Sequence, residues 1–111
     1  MARVRRGEVW WVDFDPAIGS EIRKTRPAIV ISNDIANAVL NRIQVVPLTS
    51  STGRVYPSET VVDIGGQQSK AMADQLTTVS KERIKRRLGA LSRADMQAVD
   101  RVIKIQLGLP L

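Results

Sequence analysis

Between residues 8 and 14 apolar and polar positions alternate, with Trp10, Val12 and Phe14 on one side and Val9 and Trp11 on the other. A period of two predicts a strand. Asp15-Pro16 and Gly19-Ser20 interrupt it and mark a turn-rich loop through Thr25. Residues 28–32 read as a buried second strand from their β-branched content. Pro27 suits that strand's first position, where a missing N–H costs least, and it biases Arg26 towards an extended backbone. A polar connection over residues 33–42 leads to a third strand at 43–49, in which Pro47 suggests an edge or a bulge. A fourth strand is expected at Glu59–Ile64, ended by Gly65-Gly66, and a fifth at residues 75–79. A short basic turn around residues 81–87 precedes a candidate further strand at 88–91.

The last element reads as a helix. Ser92 is a natural cap, and Asp95 three residues on completes a capping-box-like start. Met96, Val99, Ile103 and Leu107 form one apolar stripe; Ala98, Val102, Ile105 and Leu109 form a second. A surface helix normally needs one such stripe. The second either reaches deeper into its own domain or buries against a partner subunit. A homodimer is the favoured expectation, since a small domain gains much from extra burial. Short strands followed by one helix point to a mainly β chain, a twisted sheet or half-open barrel of about five to seven strands carrying a C-terminal helix.

Topology then brings distant residues together. If the second and third strands pair antiparallel, Arg26 and Thr49 fall at the same end, because their midpoint coincides with the centre of the connection between the strands. Glu21 lies in the loop that enters the second strand at that end. The expectation is that all three meet at one sheet edge.

Composition removes several chemistries. The 111 residues are expected to form one domain and to bury roughly two-thirds of the unfolded surface. There is no cysteine and no histidine, so disulfides, thiol nucleophiles, Ser-His-Asp triads and the usual zinc ligand sets are excluded. No clustered Asp/Glu motif supports a Mg²⁺ site, and the expectation is no metal and no cofactor. Apolar runs are too short to span a membrane, and the N-terminus is a poor signal peptide. A cytoplasmic protein is expected by default. The formal charge is +6, and the segments MARVRRG and KERIKRR carry the excess. Such a distribution either attracts a polyanion such as RNA or forms a solvated basic face.

An acid, an arginine and a threonine at one edge suit RNA cleavage by attack of the ribose 2′-hydroxyl on the adjacent phosphate. Glu21 is the candidate base, provided desolvation raises its pKa. Arg26 is the candidate phosphate clamp, its planar fork donating to two oxygens. Thr49 offers a hydroxyl to a non-bridging oxygen. Read singly, each has a plainer explanation: a solvated loop carboxylate, a strand-edge cap and a strand terminus. Trp10 and Trp11 face opposite sides, so one belongs to the core; the other either packs or stacks on a base.

The segments RGEVWWVDFDP, GSE, RPAIVISND, VVPLTS, GRVYPSE and MADQ, in this order, resemble the MazF/PemK-like toxins. These are small endoribonucleases of toxin–antitoxin pairs. The resemblance implies an SH3-like barrel of the MazF and CcdB type. It implies a sequence-specific, metal-independent endoribonuclease, an mRNA interferase, that leaves 2′,3′-cyclic phosphate and 5′-hydroxyl ends. It places Glu21, Arg26 and Thr49 on the family's reacting positions, with Ser20, Arg23, Lys24, Asn33 and Gln75 on or near its RNA-binding surface. Implied partners are single-stranded RNA, a second copy of the chain and an acidic, partly disordered antitoxin. Relatives of the PemK or Kid type use a histidine, an arrangement this chain cannot adopt. The competing expectations are a CcdB-like toxin that poisons a protein target, and a noncatalytic nucleic-acid-binding module.

Overall fold

The computed structural model describes residues 3–111. Seven strands form one curled sheet: β1 (Glu8–Asp13), β2 (Thr25–Val30), β3 (Arg42–Thr49), β4 (Glu59–Ile64), β5 (Gln67–Met72), β6 (Thr77–Ser80) and β7 (Ile84–Ala90). Their order is β4-β5-β3-β2-β1-β7, with β6 also paired to β3, and every pairing is antiparallel. A short helix α1 (Asp34–Val39) joins β2 to β3, and a longer one, α2 (Arg93–Leu107), ends the chain. This is the mainly β half-barrel with a C-terminal helix that the sequence predicts.

The alternation along β1 sorts its side chains between two cores. Trp10, Val12 and Phe14 join Ala28, Val30, Ile43, Val45 and Val79 on one face, closed over by Ile22 and Ile84. Val9 joins Ile29, Val46, Leu48, Val62 and Ala71 on the other, covered by Val99, Met96 and Ile103 of α2. Both faces of the central strands are thus buried, which explains the near-continuous apolar runs of β2 and β3.

Several elements differ from the sequence expectation. The connection at 33–42 is helical over α1, whose N-terminus is capped by the Asn33 side chain accepting from the Ala36 N–H at 2.9 Å. Strand β5, QQSKAM, is too polar to announce itself and exists because the Gly65-Gly66 turn folds it back on β4. Both glycines have positive φ, as a two-residue hairpin turn needs. Residues 73–75 form a 3₁₀ turn, not the start of a strand, and β6 begins at Thr77. The basic stretch is largely strand: after a 3₁₀ turn at Lys81–Arg83, β7 runs from Ile84.

Helix α2 has the expected start, with the Ser92 hydroxyl accepting from the Asp95 N–H at 3.1 Å. Asp95 does not complete the box. Its carboxylate accepts from the Asp63 N–H at 2.9 Å and so fastens α2 to β4. Gly108, at φ 70, ends the helix with the paired bonds of a Schellman motif. The second apolar stripe divides: Val102 is buried in its own domain, whereas Ile105 and Leu109 are exposed, as is Leu107 of the first stripe.

Candidate active site

The β2–β3 ladder pairs Ala28 with Pro47, Ile29 with Val46 and Val30 with Val45, and stops there. Continued two residues outward, that register sets Arg26 opposite Thr49, as expected. The two strands take different neighbours at this point. Arg26 stays with Val12 of β1, while Thr49 pairs with Lys70 of β5. Pro27, which has no N–H to give a ladder, sits where the pairing lapses. Pro47 occupies a similar lapse on the other side of β3, between the residues paired to β6 and those paired to β5.

A cleft of about 440 Å³ opens where the strands part. Lys24, Thr25, Arg26 and Pro27 line one wall; Leu48, Thr49 and Ser50 line another. Arg26 is half-buried, and its Nε donates to the Arg23 carbonyl at 3.0 Å. Its two terminal nitrogens make no hydrogen bond or ion pair among the described residues, so the fork is oriented but unspent. The Thr49 Oγ1 accepts from the Ser51 N–H at 3.3 Å, which leaves its own proton available.

Glu21 is not in this cleft. It lines a neighbouring hollow of about 390 Å³ with Phe14, Pro16, Ile22, Gln75 and Arg83. Its Oε1 accepts from the Ile18 N–H at 2.8 Å, closing a turn inside the loop. Glu21 is exposed, so the burial expected of a base is absent in the free chain. The expected convergence of three residues is therefore an arginine–threonine pair with the acid beside it.

The loop between them is held at several points. Gln75 spends both ends of its amide on it, accepting from the Ile22 N–H at 3.2 Å and donating to the Ser20 carbonyl at 3.3 Å. Arg23 donates to the Gly19 carbonyl at 3.0 Å. The Lys24 N–H reaches Asp15 Oδ1 at 2.9 Å, with Lys24 itself at φ 67. Arg83 donates to the carbonyls of Asp13 and Asp15 at the loop's base. Ser20, Arg23, Lys24 and Gln75 thus all belong to this loop or its anchor, and Lys24 also lines the cleft. Asn33 does not join them. It follows the far end of β2, roughly 20 Å along the strand from Arg26, and caps α1.

Trp10 is the core tryptophan, its Nε1 donating to Glu8 Oε1 at 3.1 Å. Trp11 lines the cleft, with the Arg86 guanidinium 5.8 Å from its ring centroid. The Trp11 Nε1 is buried and has no hydrogen-bond partner among the described residues. Gln67 and Ser69 of β5 also line the cleft. Sequence reading missed both because it missed β5; the Gly65-Gly66 pair after a strand was the available signal. Among the described residues no group of three or more His, Cys, Asp or Glu side chains is placed to hold a metal ion.

A curled, half-open β-sheet with a C-terminal helix is the fold of a known class of small toxins. A model of the PemK-like, MazF-like toxins of type II toxin–antitoxin systems matches residues 5–107, and the chain belongs to that family. The endoribonuclease MazF9 of Mycobacterium tuberculosis (strain ATCC 25618 / H37Rv) is 43% identical over 115 residues, covering 96% of this chain and 98% of the relative. A crystal structure of MazF from Deinococcus radiodurans matches with a TM-score of 0.88 at 25% identity, over 98% of this chain and 100% of that one. An endoribonuclease in complex with its cognate antitoxin, from a mycobacterial species, matches with a TM-score of 0.82 at 24% identity, over 97% and 98% of the two chains. At that identity the likeness speaks for the fold.

Proposed function

We propose that this MazF-type endoribonuclease toxin cuts single-stranded RNA without metal, by transfer of the phosphodiester to the neighbouring 2′-oxygen. The observation that carries the reading is that Arg26, whose two Nη groups have no partner among the described residues, and Thr49 line one cleft. A phosphate there receives the two Nη groups, which stabilise the charge gathering on its oxygens as the 2′-oxygen attacks. Thr49 donates to a non-bridging oxygen. The bond from phosphorus to the 5′-oxygen breaks, and the leaving oxygen takes a proton from water. Products are a 2′,3′-cyclic phosphate and a 5′-hydroxyl.

Glu21 accepts the 2′-hydroxyl proton in this reading, and the loop must turn to deliver it. That turn exchanges the Ile18 contact for the substrate and removes the carboxylate from water, which favours the proton-accepting role. Ser20, Arg23 and Lys24 guide the RNA backbone from the same loop, and Gln75 sets how far the loop moves. Asn33 has no part in the site. The antitoxin is an acidic, partly disordered segment that crosses the basic surface and competes with RNA. The exposed end of α2 is the surface for a second copy of the chain, and the protein works in the cytoplasm. No helix among the described residues is long and apolar enough to cross a membrane.

Incubation with a long single-stranded RNA in excess EDTA tests the reading. The expected result is discrete cuts ending in cyclic phosphate. RNA that stays intact over a broad pH and concentration range overturns the activity, and cleavage stopped by EDTA overturns the metal-free route.

A further inference from the structure

The cleft extends well past the arginine and threonine. Beyond them it is walled by Trp11, Ile64 and Leu88 and edged by Ser50, Gln67 and Ser69. Its volume of about 440 Å³ lies within the roughly 300–1,000 Å³ typical of small-ligand pockets. A phosphate alone would leave the apolar walls unused. What fits flat apolar walls next to a phosphate site is an unstacked base of the same strand.

The polar edge has the chemistry to read it. Gln67 directly follows the Gly65-Gly66 turn and is held opposite Ile64 by the β4–β5 ladder. A strand's period of two puts Ser69 on the same side. The Gln67 side chain is exposed and has no hydrogen bond among the described residues. Its amide therefore has both a donor and an acceptor to give to a base edge. Trp11 contributes its ring to the wall; its Nε1 is buried and does not face the cleft's solvent.

We infer that this extension of the cleft is a subsite for the base beside the scissile phosphate, and that Gln67 selects which base is accepted there. Trp11, Ile64 and Leu88 hold the ring, and the Gln67 amide reads its edge. The proposal rests on the RNA-cleavage reading above.

The test is digestion of a randomised single-stranded RNA pool by the wild type, Gln67→Ala and Gln67→Glu, with sequencing of the cut sites. Alongside it, binding is measured to oligonucleotides that carry each base beside a 2′-deoxy cut position. Gln67→Ala should flatten the preference at one position flanking the cut by roughly tenfold, the share of a two-point base contact, with other positions keeping theirs. Gln67→Glu, which can only accept, should shift that position towards bases presenting an amino group. A wild-type base distribution in Gln67→Ala overturns the proposal. If the wild type leaves the RNA pool intact, the cleavage reading fails and the binding arm decides. Base-dependent affinity that disappears in Gln67→Ala then supports the subsite; affinity with no base dependence, or with the same dependence in both proteins, overturns it.

Discussion

Arg26 shows how one residue is both positioned and left free. Its Nε is tied to the Arg23 carbonyl, which holds the guanidinium at the cleft and leaves both Nη groups without a partner among the described residues. Arg26→Ala should therefore lower kcat by about 10²–10³-fold, as loss of a charge-stabilising donor does, with an unchanged circular dichroism spectrum. Single-turnover cleavage at the wild-type rate would rule out the clamp assignment. Glu8 illustrates a structural carboxylate. Burial pushes it up, but the Arg5 N–H, Trp10 Nε1 and Arg87 outweigh that and hold it below its ordinary value. A carboxyl depressed on folding stabilises above its unfolded value and loses that contribution as pH falls through the folded one. The urea midpoint should therefore fall as pH drops below about 4.5, and Glu8→Gln should flatten this fall. Equal pH profiles for the two proteins would refute the role. Asp34, lowered chiefly by the Arg6 N–H, adds to the same acid loss.

Among the elements, the loop after β1 depends on a residue far from it in sequence. Gln75 holds its backbone at two points from the 3₁₀ turn before β6. Gln75→Ala should leave thermal stability within about 1 kcal/mol, the scale of exposed or half-buried hydrogen bonds, yet speed hydrogen exchange at Ile22 and raise KM. Unaltered exchange there would show that the loop is held by other means. Element by element, legibility follows the strength of the local pattern. β1, β4 and α2 were readable because alternation, a glycine pair and a Ser cap are local signals. β5 was not, because QQSKAM carries no apolar period and owes its state to the turn before it. The short helix α1 was hidden for a related reason: in a polar connection, Asn33 reads as a loop residue as readily as a cap. The β2–β3 register was readable because it needs only a midpoint, and so was the placing of Arg26 and Thr49 at one end of the two strands.

At the scale of the whole molecule, exposed apolar side chains gather on α1, with Ile35 and Val39, and on the C-terminal end of α2 together with the loop before β4. Ile105, Leu107 and Leu109 lie exposed on the end of α2, and Val55 and Tyr56 on the loop before β4. Ile105 shares a groove with Val55 and Tyr56. If this face joins two copies, Ile105→Asp should shift the light-scattering mass from dimer to monomer at micromolar concentration. A dimer that survives the substitution would place the interface elsewhere. The sequence alone determined the strand-rich class, the capped final helix, the absence of thiol and imidazole chemistry and the placing of Arg26 and Thr49 at one end of their strands. These depend on residue identity, periodicity and a symmetric hairpin midpoint, all written locally. Only the tertiary structure decided that the strands part beyond Pro27 and Pro47 to open a cleft, and that Glu21 faces a separate hollow. Only it brought Trp11, Gln67 and Ser69 to that cleft from two other strands. A cleft is made where neighbouring strands exchange partners, and that exchange is set by the packing of the whole sheet.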